Sequence, residues 1–302
     1  MGRLPKVIAI VGTNASGKSS LGVELAQRYQ GEILSADSRQ VYRGLNLGSG
    51  KITQEEMHGV AHHMIDICNP GDFFSMADFQ RLSYQLIDRI LSRGNTPFIV
   101  GGTGLYIDAV LDGYLLSDKA PDLAYREYLE KQTTPQLYEM LCKAKGSVDV
   151  DLKNRNRVMR MLERIHDGDD SLPQKKARYQ SLRLGVSWPR EALAKRIDER
   201  LLIRLEQGMI EEVQRLLDNG VDVEFLLGLG LEYRFITQYL LGDIKNQDDM
   251  IRQLSQAIKK FAKRQMTWFK RNPDIVWLDM AADPFAQACD VIDSFLKKDV
   301  TA

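Results

Sequence analysis

No stretch of this 302-residue chain approaches the roughly 18–20 consecutive apolar residues that a membrane-crossing helix needs. Residues 1–6 run straight into the apolar segment 7–11, without the charged, apolar and small-residue succession of a secretory signal. Cysteine is scarce. Cys68, Cys142 and Cys289 stand far apart and form no C-x-x-C pair, which argues against a zinc site and fits a reducing compartment. Net charge is zero, so any nucleic-acid binding requires local basic patches rather than an overall positive field. There is no internal repeat and no low-complexity tract. These absences exclude a helical membrane span and a disulfide scaffold, and they set the expectation of a cytoplasmic protein. What remains is 44% hydrophobic and 27% charged, material for one large domain or a core with a smaller companion.

The first part of the chain alternates strand and helix patterns. Short apolar runs at 7–11, 32–36, 63–67 and 97–100 read as strands. Helical spacing follows at 19–27, 78–92 and 105–111. Such alternation predicts an α/β fold with a parallel sheet flanked by helices. From residue 114 to 183 the chain is polar, helical and rich in Lys and Arg. Residues 183–187 read as a further strand, and the rest, from residue 189, as mostly helix. The expected organisation is an α/β core from 1–113 and 184–302, ending in helices, with an all-helical insertion at 114–183.

The segment Gly12-Thr13-Asn14-Ala15-Ser16-Gly17-Lys18-Ser19 fits G-x-x-x-x-G-K-[ST] between a strand and a helix. The glycines let backbone N–H groups turn inward around phosphate oxygens, and the helix N-terminus adds a positive dipole end. Lys18 supplies a point charge, and Ser19 is the candidate Mg²⁺ ligand. The motif alone does not choose a phosphate compound. Phosphoryl-transfer enzymes carry an Asp at the end of a later apolar strand. Here the strand at 97–100 ends in Gly101-Gly102-Thr103-Gly104 instead.

Asp37 follows the strand at 32–36, where open α/β sheets place ligands. It reads as a general base, as a turn or N-cap aspartate, or as the acceptor-binding carboxylate of a small-molecule kinase. Lys153, Arg157, Arg160 and Arg164 share one helix face, either a solvated stripe or a phosphate-binding one. Residues 251–271 hold seven basic residues, Lys263 and Arg264 among them, and no acidic one. Phe261, Trp268 and Phe269 lie between these charges, as core anchors or as base-stacking platforms. His62 and His63 lack further ligands at metal spacing and read as structural.

Taken in order, these motifs resemble the tRNA dimethylallyltransferases, also called tRNA isopentenyltransferases, in their bacterial form without a zinc finger. The phosphate loop is similar to that family's G-P-T-x-S-G-K-[ST]. Asp37-Ser38-Arg39-Gln40-Val41-Tyr42 resembles D-S-x-Q-x-Y, and Gly48-Ser49-Gly50-Lys51 stands where the family has G-T-A-K. His62-His63-Met64-Ile65-Asp66, Gly101 to Tyr106, and Lys263-Arg264-Gln265-Met266-Thr267-Trp268-Phe269 match closely.

The resemblance implies transfer of a dimethylallyl group from dimethylallyl diphosphate to the exocyclic amine of the adenosine 3′ of the tRNA anticodon, releasing diphosphate. Asp37 matches the family's base. The loop amides, Lys18, Arg200 and Ser19 with Mg²⁺ would hold the diphosphate, and Thr103 matches a residue near the target nucleotide. Asp37, Ser38, Arg39 and Gln40 match family positions that meet the tRNA. So do Arg157 and Arg160, in an R-x-x-R, and Lys263 and Arg264. Alone, Arg196 and Arg200 also read as surface arginines bridged by Asp198 or Glu199. The target base would have to be flipped outward to reach a recessed carboxylate. A monomer without a membrane partner is implied.

Three departures stand out: Glu232 where the turn I-G-Y-[RK] carries Gly, Lys153-Asn154 where N-D is usual, and Gly50 for Ala. The alternatives are an adenylate isopentenyltransferase acting on free AMP, ADP or ATP, and a small-molecule kinase with the same phosphate loop.

Overall fold

The computed structural model describes residues 4–116, 122–146, 154–168 and 174–297. Its core is a six-stranded, wholly parallel sheet. Strands β1 (Lys6–Val11), β2 (Gly31–Ala36), β3 (His62–His63), β4 (Thr96–Gly101), β5 (Gln180–Ser187) and β6 (Ile275–Asp279) lie in the order β3-β2-β4-β1-β5-β6. The central β1 is apolar on both faces because both are covered, as a parallel sheet requires. Val7, Ala9 and Val11 pack with Phe79, Ile87 and Ile107 on one side. Ile8 and Ile10 pack with Leu21, Leu25, Leu184 and Ile292 on the other. Burying each of the Val, Ile, Leu and Phe side chains contributes roughly 1.5–3 kcal/mol.

Helix α1 (Lys18–Arg28) follows the phosphate loop. Helix α2 (Met76–Ser92) opens with a capping box in which Ser75 and Asp78 satisfy each other's backbone amides, so it begins two residues before its apolar stripe suggests. Helix α3 (Gly104–Leu111) leaves β4 through the glycine turn.

A second compact unit, Tyr114–Lys176, contains α4 (Leu123–Glu130), α5 (Thr134–Lys145) and α6 (Arg155–His166) around Leu129, Leu137, Leu141, Val158 and Leu162. Asn154, one of the departures, caps α6 by accepting the Arg157 N–H. Lys153 lies outside the described residues.

After β5 come α7 (Arg190–Glu206), α8 (Met209–Asp218), α9 (Val223–Leu229), α10 (Leu231–Leu240) and α11 (Gln247–Phe269), with α12 (Pro284–Lys297) behind β6. Helices α7, α8, α10 and α11 share a core of Leu201, Met209, Val213, Tyr233, Ile236 and Leu254. Among the described residues no helix is long and apolar enough to cross a membrane.

The structure corrects three sequence expectations. The strand expected at 63–67 is only His62–His63, because Met64 and Asp66 take positive φ of 65° and 52° and turn the chain away. The strand at 183–187 begins at Gln180, so the helical unit ends at Lys176 and not at 183. Strand β6 interrupts the expected helical C-terminal segment. It is an edge strand with Val276 exposed, so its pattern lacks a continuous apolar run.

Candidate active site

The carboxyl ends of β1, β2 and β4 open into a cleft of about 670 Å³, including its solvent-open mouth. Asn14, Lys18, Ser19, Ser35, Asp37, Arg39, Gln40, Ser49, Gly50, His62, Arg200, Arg204 and Glu232 line it, with Ile33, Ile52, Val100 and Gly101. Residues 12–19 make a tight turn in which Ala15 and Gly17 take left-handed φ of 59° and 86°. Helix α1 has no side-chain cap and no acid in its first turn, leaving its N-terminal amides for an anion. Inside the turn, Thr13 O accepts from Ser16 Oγ at 2.8 Å and from Lys18 Nζ at 3.3 Å. Burial, opposed by the pull of Asp37 and helped by the Arg200 charge, lowers Lys18 to about 8.

The loop is braced from outside by residues that sequence reasoning did not single out for this role. Gln265 on α11 accepts the Asn14 N–H at 3.0 Å and donates to Gly102 O at 3.0 Å, tying the phosphate loop to the glycine turn after β4. Trp188 donates its indole N–H to Ser16 O at 2.9 Å. Arg196 donates to Ala15 O at 3.1 Å and lies over the Trp188 ring at 4.5 Å.

Asp37 stands just beyond β2. One carboxylate oxygen accepts the Arg39 N–H at 3.0 Å, and the Ser38 N–H donates to Thr103 Oγ1 at 3.2 Å. Thr103 thus supports the Asp37 turn from the glycine turn that follows β4. Gln40 links two walls, accepting from Ser35 Oγ at 2.8 Å and donating to Gly50 O at 3.2 Å. Arg39 is already engaged: its Nε donates to Leu229 O at 3.2 Å, and its guanidinium lies 5.4 Å over Phe261.

Helix α7 brings Arg196, Arg200 and Arg204 to this region at four-residue intervals, and that spacing is the signal by which Arg204 could have been found. Arg200 donates to Gly50 O at 3.4 Å, Arg204 to Leu47 O at 2.8 Å. Arg200 is exposed by surface area yet surrounded in the cleft. Desolvation and the Arg204 charge lower it to about 10, leaving it cationic at neutral pH. The acids beside it in sequence are committed elsewhere: Asp198 to Lys259 at 2.6 Å and Ser255 at 2.6 Å, Glu199 to Lys195 at 3.7 Å. Gly50 has φ +60°, and a Cβ there would meet Arg200 Nη2 at 2.8 Å, so the departure to Gly permits close passage of the guanidinium. Glu212 on α8 fixes the same loop by accepting the N–H groups of Asn46, Leu47 and Gly48 and the Tyr233 hydroxyl.

Lys263 and Arg264 are exposed on α11, Arg264 lying 5.5 Å over Phe261. Phe269 is buried, and Trp268 packs on the core with its N–H on Asp108 at 2.9 Å, so both act as anchors. In the helical unit Arg157 and Arg160 are exposed on α6, and Arg160 pairs with Glu163 at 3.0 Å. His62 bonds Val60 O and His63 bonds Glu32.

A model of the IPP transferase family matches residues 40–272. The chain is 44% identical over 294 residues to tRNA dimethylallyltransferase 2 of Shewanella sediminis, covering 95% of this chain and 97% of that one. It is 41% identical over 291 residues to tRNA dimethylallyltransferase of Bacillus pumilus, covering 91% and 89%. The crystal structure of a full-length tRNA isopentenylpyrophosphate transferase from Bacillus halodurans superposes with a TM-score of 0.73 at 38% identity, covering 96% of this chain and 95% of that one. The chain therefore belongs to the IPP transferase family and is an enzyme, a prenyltransferase.

Proposed function

We propose that the enzyme transfers the dimethylallyl group of dimethylallyl diphosphate to the exocyclic amine of the adenosine 3′ of the tRNA anticodon. The observation that carries this reading is the meeting, in one cleft, of the carboxylate Asp37 with the cations Lys18 and Arg200 at an uncapped helix N-terminus. The similarity to proteins named tRNA dimethylallyltransferase supports the same reaction.

The chemistry follows from what each group can do. The amine nitrogen forms a bond to the allylic C1 as the C1–O bond breaks, and the electron pair leaves with the diphosphate. Developing charge on that leaving group meets Lys18, Arg200 and the loop amides, held in place before reaction by Gln265, Trp188 and Arg196. Preorganised donors of this kind contribute roughly 3–4 kcal/mol each. Adenine's amine must lose a proton as it alkylates, and Asp37 accepts it. Ile33, Ile52 and Val100 offer apolar wall for the prenyl group.

The donor set also fits Mg²⁺. Ser19 lines the cleft beside Lys18 and would be the protein ligand, the rest of an oxygen shell coming from diphosphate and water. Bound there, Mg²⁺ would neutralise diphosphate charge. Arg157 and Arg160 on α6, and Lys263 and Arg264 on α11, are exposed cations suited to RNA phosphates.

The test is incubation with labelled dimethylallyl diphosphate and either unmodified tRNA or AMP. Label is expected in tRNA. Label in AMP alone would make the enzyme an adenylate isopentenyltransferase, and label in neither would overturn the assignment.

A further inference from the structure

Glu232 is the second residue of α10 and only 2% exposed, yet it lines the cleft that holds Lys18, Asp37 and Arg200. Its carboxylate lies 3.9 Å from Arg39 Nη1 and 3.8 Å from Arg204 Nη2, close enough for charge attraction and too far for a hydrogen bond. Its Oε2 is shielded from solvent and has no hydrogen-bond partner among the described residues. A buried carboxylate left so loosely partnered is costly, unless the site needs its charge.

The neighbouring guanidiniums do not depend on it for their orientation. Arg39 is held by Leu229 O and the Phe261 ring, Arg204 by Leu47 O, and Arg200 leans on Gly50 O. What Glu232 adds is negative charge. The cleft lining carries four cations, Lys18, Arg39, Arg200 and Arg204, against two carboxylates, Asp37 and Glu232. His62 also faces it. Asp37 is needed by the amine. Glu232 is the buried carboxylate that opposes retention of an anion, and Glu56 adds a further negative charge acting on Arg200.

Resting on the reaction proposed above, we infer that Glu232 is a resident counter-anion. It balances the arginine cluster before diphosphate arrives and weakens the hold on diphosphate after transfer, so that the product leaves. Diphosphate is half of the donor and the whole of one product. A site that grips it with four cations against Asp37 alone would be slow to turn over.

The experiment is calorimetric titration of the full chain with inorganic diphosphate and Mg²⁺, alongside steady-state and single-turnover prenylation. Glu232→Gln is expected to bind diphosphate about tenfold tighter or more, because one repelling charge is removed from the cleft wall. Its multiple-turnover rate should fall and its single-turnover rate persist. Glu232→Asp should stay near wild type, and Glu232→Ala should repeat the gain if the Gln variant does not fold. Structural damage does not tighten a ligand, so unchanged or weaker binding in folded, charge-free variants overturns the inference alone. Failure of the wild-type chain to bind diphosphate would overturn the reading of the cleft on which it rests.

Discussion

Gln265, on the long helix α11, accepts the backbone N–H of Asn14 at 3.0 Å, and so a residue near the end of the chain sets the shape of a loop near its beginning. The same amide donates to Gly102 O, leaving both of its polar ends engaged in a buried position. Replacing Gln265 by Ala should cost roughly 1–3 kcal/mol of stability, since two buried backbone groups lose their partner. It should also lower kcat/KM about tenfold or more, because the loop amides lose their preset aim. Chemical denaturation and steady-state kinetics on one preparation check both.

Lys18 titrates at about 8 in the folded chain against an ordinary 10.5, because burial disfavours its charge. Between those values the unfolded chain binds the additional proton, so this group's contribution to stability rises with pH across that window and is unfavourable below it. Ligand binding runs the other way. Diphosphate requires the cation, so affinity for it should fall as pH rises through about 8. Titrations from about pH 7 to about pH 9.5 read the slope, and Lys18→Arg should flatten it.

Glu32 sits at the other end of β2. Burial pushes its carboxyl up, but hydrogen bonds from Arg93, Asn95 and His63 outweigh that and hold it at about 2. The stability it contributes is complete above its ordinary 4.5 and is lost as pH falls towards about 2. Glu32→Gln should therefore destabilise the protein by roughly 2 kcal/mol near neutrality and reduce the steepness of acid unfolding. Melting temperatures across an acid series give the comparison.

Glu212 supports the loop that Arg200 and Arg204 touch. With three backbone N–H groups and the Tyr233 hydroxyl on one carboxylate, Glu212→Gln leaves at least one donor unmatched and should cost roughly 1–3 kcal/mol. The KM for the diphosphate donor should rise more than kcat falls, since the loop backs the leaving-group arginines. Equal loss of both would place the loop's role in the chemical step instead.

The phosphate loop and Asp37 were legible because their evidence is local: a strand, a glycine turn and a helix start follow one another, and Asp37 comes directly after an apolar run. Arg200 entered through resemblance, and its neighbour Arg204 was missed although it repeats the spacing of Arg196 and Arg200. Gln265, Trp188, Glu212 and the placement of Glu232 were not legible. Each reaches the site from a distant segment, and a polar residue on a helix carries no sequence mark of the backbone group it will meet. Strand β6 stayed hidden for a related reason: its partner β5 lies far back in the chain, and its open edge breaks the apolar pattern. The truncation of β3 depends on two non-glycine residues in left-handed backbone, which composition does not announce.

The central claim is that Asp37 takes the proton from the acceptor amine in a cleft that otherwise serves to bind diphosphate. Asp37→Asn keeps the size of the side chain and an oxygen able to accept the Arg39 N–H. The direct measurement is single-turnover prenylation of unmodified tRNA by this variant, with tRNA and diphosphate binding measured on the same sample. The account predicts retained binding and a rate lowered at least about 100-fold. A rate near that of the wild type would contradict it.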